Sequence, residues 1–194
     1  LIRMVERLIR QDKMNHILEK HKDKYGLEFV DSVLDEFQIT VTSSNENLIP
    51  DSGRFIFAAN HPLGALESHV MMKIIGKHYS EIRFLVNDLL LYLKNYDPLF
   101  VPINKHGTQS RNATRKIEET YESDAQILYF PAGLVSRKKK GVIKDLEWKK
   151  SFINKAIKHK RDIIPVHLEG QNTNFFYNFA NIRKFLGIKA NIEM

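Results

Sequence analysis

His61 and Glu67 are the two residues whose types and spacing best suit catalysis in this chain of 194 residues. A tight turn lies between them, since residues 60–67 read Asn-His-Pro-Leu-Gly-Ala-Leu-Glu. A carboxylate on one ring nitrogen fixes the tautomer of a neutral histidine and stabilises the imidazolium that forms when the other nitrogen takes a proton. The pair therefore predicts a general base. A simple strand-to-helix turn would use similar residues, so this octapeptide alone leaves both interpretations open.

The elements around this turn can also be predicted. The apolar run at residues 55–59 is typical of a buried strand, and residues 68–77 have the pattern of a helix. His61 would then follow the carboxyl end of a strand. In an open α/β sheet that is the edge where ligands bind.

From residue 54 onward, predicted strands and helices alternate, which is typical of an α/β fold with a largely parallel, mixed sheet wrapped by helices. An N-terminal helical segment and one further strand precede this part. The predicted helices cover residues 1–24, 27–37, 68–77, 88–94, 108–122, 146–159 and 174–185, and the predicted strands cover residues 38–43, 54–60, 82–86, 99–103, 125–130, 162–166 and 189–193.

The length favours a single domain over residues 1–194, with N-terminal helices in residues 1–37 and the α/β core in residues 38–194. The last predicted strand stops abruptly, so we expect the C-terminus to be incomplete. The chain has no cysteine, which excludes disulfides and thiolate metal sites and fits a reducing compartment. The longest aliphatic cluster, at residues 89–93, is far shorter than the ~20 residues that cross a bilayer, so any membrane contact should be peripheral.

Positive charge is concentrated in one region of the chain. The formal net charge is +7, and residues 137–161 alone contain eleven Lys or Arg and two acidic residues. Such a region predicts an anionic partner: lipid headgroups, an acyl carrier protein, coenzyme A phosphates or nucleic acid. A solvated lysine-rich helix is the plainer interpretation. A non-enzymatic module that binds lipid, or nucleic acid with Trp148 and Phe152 as stacking residues, remains an alternative.

A zinc hydrolase is a further alternative, with His61, Glu67 and His69 as ligands. The chain lacks the His-Glu-x-x-His pattern and a third ligand at a recognisable spacing. We therefore expect no metal.

Four segments, taken in order, resemble the glycerolipid acyltransferase family of the lysophosphatidate acyltransferase type. They are residues 60–67, 100–105, 129–137 and 163–166, within a resemblance that spans about residues 53–170. That family has a His-x4-Asp motif, a strand that ends in a basic residue, a Phe-Pro-Glu-Gly turn and a Val-Pro strand. The similarity is greatest to bacterial members described as haemolysins or as the O-acyltransferase partner in ornithine- or glycine-lipid synthesis, which carry His-Pro-Leu-Gly-Gly-Leu-Asp and Phe-Pro-Ala-Gly.

The chain departs from the commoner family pattern at two positions. Glu67 follows His61 by six residues instead of five and replaces the usual Asp, and Ala132 replaces the acid of the Phe-Pro-Glu-Gly turn. If that acid helps bind a phosphorylated glycerol, its loss favours a lyso-aminolipid or another hydroxylated lipid over lysophosphatidate.

The resemblance implies an O-acyltransferase that moves a fatty acyl group from a thioester to the hydroxyl of a lyso-lipid, with His61 as the base and Glu67 as its orienting acid. Acyl carrier protein or coenzyme A would carry the acyl group as co-substrate, and no cofactor or nucleic-acid partner is expected. Gly64 and the N–H groups that open the following helix would bind the oxyanion. The enzyme would be cytoplasmic and peripheral, at the cytoplasmic side of the inner membrane.

The remaining candidate residues belong to substrate binding. The resemblance implies that the acceptor headgroup lies near the polar and glycine residues that end the predicted strands: Asn60, Asn104, Lys105, Gly133, Ser136 and Arg137. Arg137 could pair in bidentate fashion with a carboxylate or phosphate. Apolar side chains could line an acyl slot or equally fill the core, namely those of Leu89, Leu90, Leu91, Tyr92, Phe175, Phe176 and Phe179.

Overall fold

The computed structural model describes residues 10–103 and 111–188, and their architecture is α/β. The strands in these ranges are β1 (Phe55–Ala59), β2 (Ile82–Asn87), β3 (Phe100–Ile103), β4 (Gln126–Tyr129), β5 (Arg137–Lys139), β6 (Val142–Lys144) and β7 (Asp162–Val166). The helices are α1 (Gln11–Lys20), α2 (Gly26–Glu36), α3 (Ala65–His78), α4 (Arg111–Glu122), α5 (Ser151–His159) and α6 (Asn174–Phe185).

Five strands form one parallel sheet in the order β3-β2-β4-β1-β7. Strand β1 therefore lies between β4 and β7, with Ile56 opposite Ile127 on one side and Ile163 on the other. The predicted fold class, a largely parallel sheet wrapped by helices with a helical N-terminal segment, is confirmed. Strands β5 and β6 form a separate antiparallel hairpin.

Alternate residues of β1 serve the two faces of the sheet. Phe57 and its neighbours two residues away pack in the same apolar cluster as residues of α2 and α3, whereas Ile56 and Ala58 pack with residues of α4 and α5. Every residue of β1 is buried, as expected for a central strand of a parallel sheet covered by helices on both faces. This packing fixes the end of β1, where the catalytic candidate follows.

The structure differs from the predicted elements in several places, among them the predicted helix at residues 88–94, which forms the 3₁₀ turns Asp88–Tyr92 and Lys94–Tyr96. Residues 38–43 form no strand. Instead, the N–H groups of Gln38 and Ile39 donate to the carbonyls of Asp35 and Leu34 at the end of α2. The last helix before β7 begins at Ser151 instead of residue 146, and just before it the backbone N–H of Lys149 donates to the carbonyl of Pro131. The hairpin β5–β6 was not predicted, since its lysine-rich sequence has little apolar alternation.

The predicted strand at residues 189–193 lies outside the described residues. Among the helices that the structure describes, none combines the length and apolar character that crossing a bilayer requires.

Candidate active site

His61 lies two residues beyond β1, and its ring contacts Glu67. The Nδ1 atom of His61 is 2.6 Å from Oε1 of Glu67, and the histidine side chain is 16% exposed while the glutamate side chain is 2% exposed. With a carboxylate at Nδ1, the neutral ring carries its hydrogen there and leaves the lone pair on Nε2. Among the described residues, Nε2 has no hydrogen-bond partner. The predicted pairing of imidazole and carboxylate thus has suitable geometry despite the extra residue in the spacing.

The start of α3 places Glu67 for this contact. Gly64 precedes the helix with φ +117°, a backbone conformation that side-chain-bearing residues rarely adopt, and no side chain caps the helix. Glu67 falls in the first turn, where the helix dipole favours negative charge. Its Oε1 also accepts from the N–H of Leu63 at 3.0 Å. Its buried Oε2 lacks a hydrogen-bond partner among the described residues.

The strand order explains which side chain supports the His61 ring. Phe130 follows β4, the strand beside β1, and its ring stacks on the imidazole with centroids 4.2 Å apart and planes 12° apart. One face of the imidazole is therefore covered by an aromatic ring. The stacking and the Glu67 contact together restrict rotation of the imidazole and define the direction of Nε2.

The main chain of His61 is held by the hairpin β5–β6. The His61 N–H donates to Oδ2 of Asp145 at 2.9 Å, and the His61 carbonyl accepts from the N–H of Ser136 at 2.8 Å. The Ser136 hydroxyl donates to Oδ1 of Asp145. We call Ser136 and Asp145 together the bracket around His61. No sequence pattern indicates Asp145, and Ser136 is predicted to bind the headgroup; in the structure, Ser136 is buried and its hydroxyl donates to Asp145.

The chain after β7 holds the other side of the turn. Asn60 donates through Nδ2 to the carbonyl of Leu168 at 2.8 Å and accepts the Leu168 N–H at 2.6 Å. Asn172 donates through Nδ2 to the carbonyls of Pro62 and Leu63, both at 3.0 Å. Asn60 is predicted to bind substrate, and in the structure its amide joins the ends of β1 and β7. Asn172 is an addition that no local pattern indicated.

The other predicted substrate ligands fall in different places. Gly133 lies in a tight turn after β4 with φ +68°, and its N–H donates to the carbonyl of Phe130. The half-buried Arg137 donates through Nη1 to the carbonyls of Val135 and Ser136, and its guanidinium lies 5.6 Å from the ring centroid of Phe176. These residues share the edge of the sheet with His61.

Asn104 and Lys105 lie outside the described residues. The strand that precedes them, β3, is at the far edge of the sheet, with β2 and β4 between it and β1. With parallel strands about 4.8 Å apart, the end of β3 is roughly 14 Å from the end of β1. A ligand would have to extend across two strand ends to contact both regions.

Of the residues predicted to line an acyl slot, Leu89 has a side chain outside the described part of the structure, and the others differ in exposure. Leu91 packs against the core, whereas Tyr92 is 82% exposed in a 3₁₀ turn and Phe175 is 64% exposed on α6. A cleft of about 390 Å³ lies between α5 and β7, next to Ile157 and Arg161, at the opposite end of the strands from His61. This cleft does not adjoin the candidate base.

His69 is not arranged as a metal ligand with His61 and Glu67. Its Nδ1 contacts the carbonyl of Ala65 at 2.7 Å and its Nε2 contacts the hydroxyl of Tyr96 at 2.5 Å, so both ring nitrogens have partners. Burial lowers the pKa of His69 from its usual value, which keeps the ring neutral. These contacts indicate that His69 attaches the first turns of α3 to the 3₁₀ turn Lys94–Tyr96.

The arrangement provides two of the elements that acyl transfer requires. His61 Nε2 can accept a proton, with the resulting imidazolium stabilised by Glu67. Four residues further on, α3 begins without a side-chain cap, so its first N–H groups are donors that can bind a developing oxyanion.

Comparison with known proteins also points to acyl transfer. The model of a protein family described as "Acyltransferase" matches residues 1–194. The chain is 43% identical over its whole length to a lyso-glycine lipid O-acyltransferase of Bacteroides thetaiotaomicron, of which it covers 72%. It is 44% identical, again over its whole length, to a lyso-glycine lipid O-acyltransferase of Phocaeicola vulgatus, of which it covers 70%. No solved structure matches.

Proposed function

Because the chain belongs to this acyltransferase family, which confirms the resemblance seen in its sequence segments, we propose that it transfers a fatty acyl group from a thioester to the hydroxyl of a lyso-glycine lipid. His61 is the general base in this proposal. The observation that carries it is the 2.6 Å contact between His61 Nδ1 and Glu67, which leaves the opposite ring nitrogen as a proton acceptor. The names of two relatives at 43% and 44% identity support the choice of acceptor.

The reaction follows from these positions. The acceptor hydroxyl gives its proton to Nε2 of His61 while its oxygen attacks the thioester carbonyl. The N–H groups at the start of α3 stabilise the tetrahedral oxyanion. When the intermediate collapses, the carbon–sulfur bond breaks and the imidazolium returns the proton to the leaving thiolate. An ester and a free thiol result, and His61 regains its starting state without forming an acyl-enzyme.

Features of the acceptor side support a lipid with a carboxylate headgroup. Ala132 stands where the commoner family pattern has an acid, and the loss of an acid that helps bind a phosphorylated glycerol favours a lyso-aminolipid over lysophosphatidate. Arg137 lies in the next segment, at the same edge of the sheet as His61, and a guanidinium is well suited to carboxylate recognition. In the proposal, Arg137 and the nearby Gly133 turn contact the glycine headgroup, while Asn104 and Lys105 remain candidates for the same role.

The acyl donor and the location complete the proposal. Acyl carrier protein is acidic and coenzyme A carries phosphates, so both fit the basic stretch at residues 137–161. A lipid acceptor resides in a bilayer, and we place the enzyme peripherally at the cytoplasmic side of the inner membrane. Transfer assays with each thioester, on the same panel of lyso-lipids, distinguish the two donors.

A substitution series tests the catalytic assignment. His61→Ala should lower kcat by about 10²- to 10⁴-fold, the usual contribution of a positioned base. Glu67→Gln should have a smaller effect in the same direction, because the hydrogen bond can persist while the charge that stabilises the imidazolium is lost. The measurement is acyl transfer from acyl carrier protein and coenzyme A thioesters to lyso-glycine lipid.

His16→Ala is the matched control, because His16 is exposed on α1, which does not contribute to the turn that carries His61. Its loss should leave the rate unchanged. Full activity of His61→Ala would remove the histidine from the mechanism. Full activity of the Glu67 variant would remove the orienting role of the carboxylate while the base assignment stands.

A further inference from the structure

Helix α6 is apolar on two opposite faces. Tyr177 and Ala180 are buried against the rest of the protein. A second stripe at positions i, i+4, i+7 and i+11 points outward and consists of Phe175, Phe179, Ile182 and Leu186, with Phe185 beside it. Phe175 and Leu186 are each 64% exposed, Ile182 is 57% exposed and Phe185 is 89% exposed. A surface helix normally has one apolar face, so the outward stripe indicates a second contact.

The hairpin β5–β6 extends this stripe with positive charge. Lys138 Nζ donates to Oδ1 of Asn174 at 3.0 Å, and Nδ2 of Asn181 donates to the Lys138 carbonyl at 3.2 Å, so the hairpin lies along α6. Its turn exposes Lys139 and Lys140. Residues 137–144 and 170–188 contain Lys and Arg but no Asp or Glu. We call α6 and the hairpin together the α6–hairpin surface.

This surface borders the candidate active site. Asn172, just before α6, donates to the carbonyls of Pro62 and Leu63 in the turn that carries His61. Arg137, the first residue of the hairpin, places its guanidinium over the ring of Phe176 on α6. A lipid leaving a bilayer at the α6–hairpin surface would therefore reach His61 without crossing the body of the protein.

We propose that the α6–hairpin surface docks onto an anionic lipid bilayer, with the outward apolar stripe in the interfacial region and the hairpin lysines on the headgroups. The proposal rests on the proposed function insofar as a lipid acceptor requires contact with a bilayer. Exposed aromatic and aliphatic side chains gain free energy in the interface, and each lysine near an anionic surface adds to binding. Large apolar side chains beside lysines, with no acidic residue in either segment, complement this partner on both counts.

The charge pattern favours a bilayer over a second copy of the chain. A symmetric dimer through this surface would bring the same lysines of two protomers together, with no acids in these segments to neutralise them. An anionic membrane supplies both the negative headgroups and the apolar layer.

Vesicle co-sedimentation tests the proposal without any turnover. The chain should bind vesicles of phosphatidylcholine and phosphatidylglycerol, bind phosphatidylcholine vesicles much less, and lose affinity as salt is raised. The combined substitutions Phe175→Ser, Ile182→Ser and Phe185→Ser should lower binding to the anionic vesicles by at least about 10-fold. Lys139→Glu with Lys140→Glu should lower it by about 30-fold or more, given the contribution expected of each lysine.

Matched controls separate docking from general surface properties. Leu48→Ser with Ile157→Ser removes side chains that are 71% and 73% exposed on other elements, and Lys149→Glu with Lys150→Glu changes the same charge outside the surface. Both control variants should sediment like the unsubstituted chain. Equal binding by the docking variants and the controls would overturn the proposal. So would a dimer in size-exclusion chromatography that the Phe175, Ile182 and Phe185 substitutions convert to monomer.

Activity measurements keep this proposal separate from the proposed function. The variant with Phe175→Ser, Ile182→Ser and Phe185→Ser, which leaves the basic stretch intact, should retain transfer to a short-chain acceptor dissolved as monomers and lose transfer to acceptor embedded in vesicles. If the chain transfers no acyl group to any acceptor but shows the expected vesicle binding, the proposed function fails and docking stands. If transfer to vesicle-embedded acceptor survives all docking substitutions, docking fails and the proposed function stands.

Discussion

His61 is held through its ring and through its main chain by different parts of the molecule. Glu67 and Phe130 restrict the ring, while Asp145 and Ser136 bind the peptide groups on either side. Restricting both sets of atoms fixes the direction of Nε2 before substrate arrives. Preorganisation of this kind matters because a displacement of about 1 Å can lower a rate by about 10²-fold.

Asp145 should therefore act as a positioning residue. Asp145→Ala leaves the His61 N–H without its acceptor, and we expect kcat to fall by about 10-fold to 10²-fold with a smaller change in KM. Asp145→Asn should recover part of the loss, since its amide oxygen can still accept one hydrogen bond. Steady-state kinetics of both variants, with lyso-glycine lipid as acceptor, provide the measurement.

Glu147→Ala is the control for Asp145→Ala, because Glu147 is an exposed acid two residues further along the chain. It should retain full activity. Equal kcat values for Asp145→Ala and the control would show that the bracket around His61 is not needed for catalysis.

At this scale, proximity in sequence decided what could be predicted. His61 and Glu67 are six residues apart within one turn, so their types and spacing were sufficient to pair them. Asp145 contacts His61 from 84 positions away in the chain. No periodicity or local motif records such a contact, because it depends on how the hairpin lies across the end of β1.

Helix α3 connects the catalytic pair to the scaffold through its first turn. The backbone at Gly64 turns with φ +117° and ψ −116°, and the helix that follows presents Glu67 to His61. A Cβ at this position would meet Cγ2 of Val135 at 3.6 Å, an ordinary contact, so space does not restrict the residue. The backbone conformation does, since residues with a side chain are strained there.

Gly64→Ala should cost about 1–3 kcal/mol of unfolding free energy from backbone strain. It should also lower activity by more than the loss of folded protein explains, because the start of α3 must move to relieve the strain. Urea denaturation and steady-state kinetics on the same samples measure both effects.

Gly187→Ala provides the comparison, since Gly187 has φ +72° at the end of α6 with open space around it. Its cost should be about 1–2 kcal/mol, with no specific effect on transfer to a monomeric acceptor. If Gly64→Ala is as active as Gly187→Ala per folded molecule, the exact start of α3 is unimportant for chemistry.

Elements with strong apolar periodicity were predicted well, and elements defined by distant partners were not. Strand β1 and helix α3 follow their sequence patterns closely. Residues 38–43 alternate like a strand, but among the described residues no neighbouring strand pairs with them. The hairpin β5–β6 is the reverse case, since its strands form although the sequence does not alternate between apolar and polar residues. Their pairing depends on a turn at Gly141.

Across the whole molecule, the two ends of the parallel strands have different roles. His61, Phe130 and the loops that contact them lie at the carboxyl ends. At the amino ends of the strands, Arg161 is 4% exposed and donates to the carbonyls of Tyr121 at 2.9 Å and Ala125 at 2.8 Å. Further carbonyls surround its guanidinium. Burial, with Arg54 nearby, lowers the pKa of Arg161 to about 10. The hydrogen bonds of Arg161 hold together α4 and the starts of β4 and β7, and no described residue of the candidate site lies there.

Arg161→Met should consequently reduce stability without altering the chemistry. Several buried carbonyls lose their donor, and we expect a loss of about 3 kcal/mol or more, which corresponds to a fall in Tm of about 6–12 °C. Calorimetry provides the measurement. Activity per folded molecule should be unchanged at low temperature.

Arg115→Met is the control for this substitution, because Arg115 is 72% exposed and forms an ion pair with Glu119 on the surface of α4. Its Tm should change by about 2 °C or less. Similar Tm values for the two variants would show that the buried guanidinium is not a main source of stability at this end of the strands.

The bracket around His61 has a mechanical consequence. Ser136 immediately precedes β5 and Asp145 immediately follows β6. The same short hairpin therefore carries exposed lysines at its turn and binds the peptide groups of His61 at its base. A displacement of the hairpin would therefore reach residue 61 directly through the hydrogen bonds of Asp145 and Ser136 to its main chain. The direction of the proton acceptor thus depends on where the lysine-bearing hairpin lies.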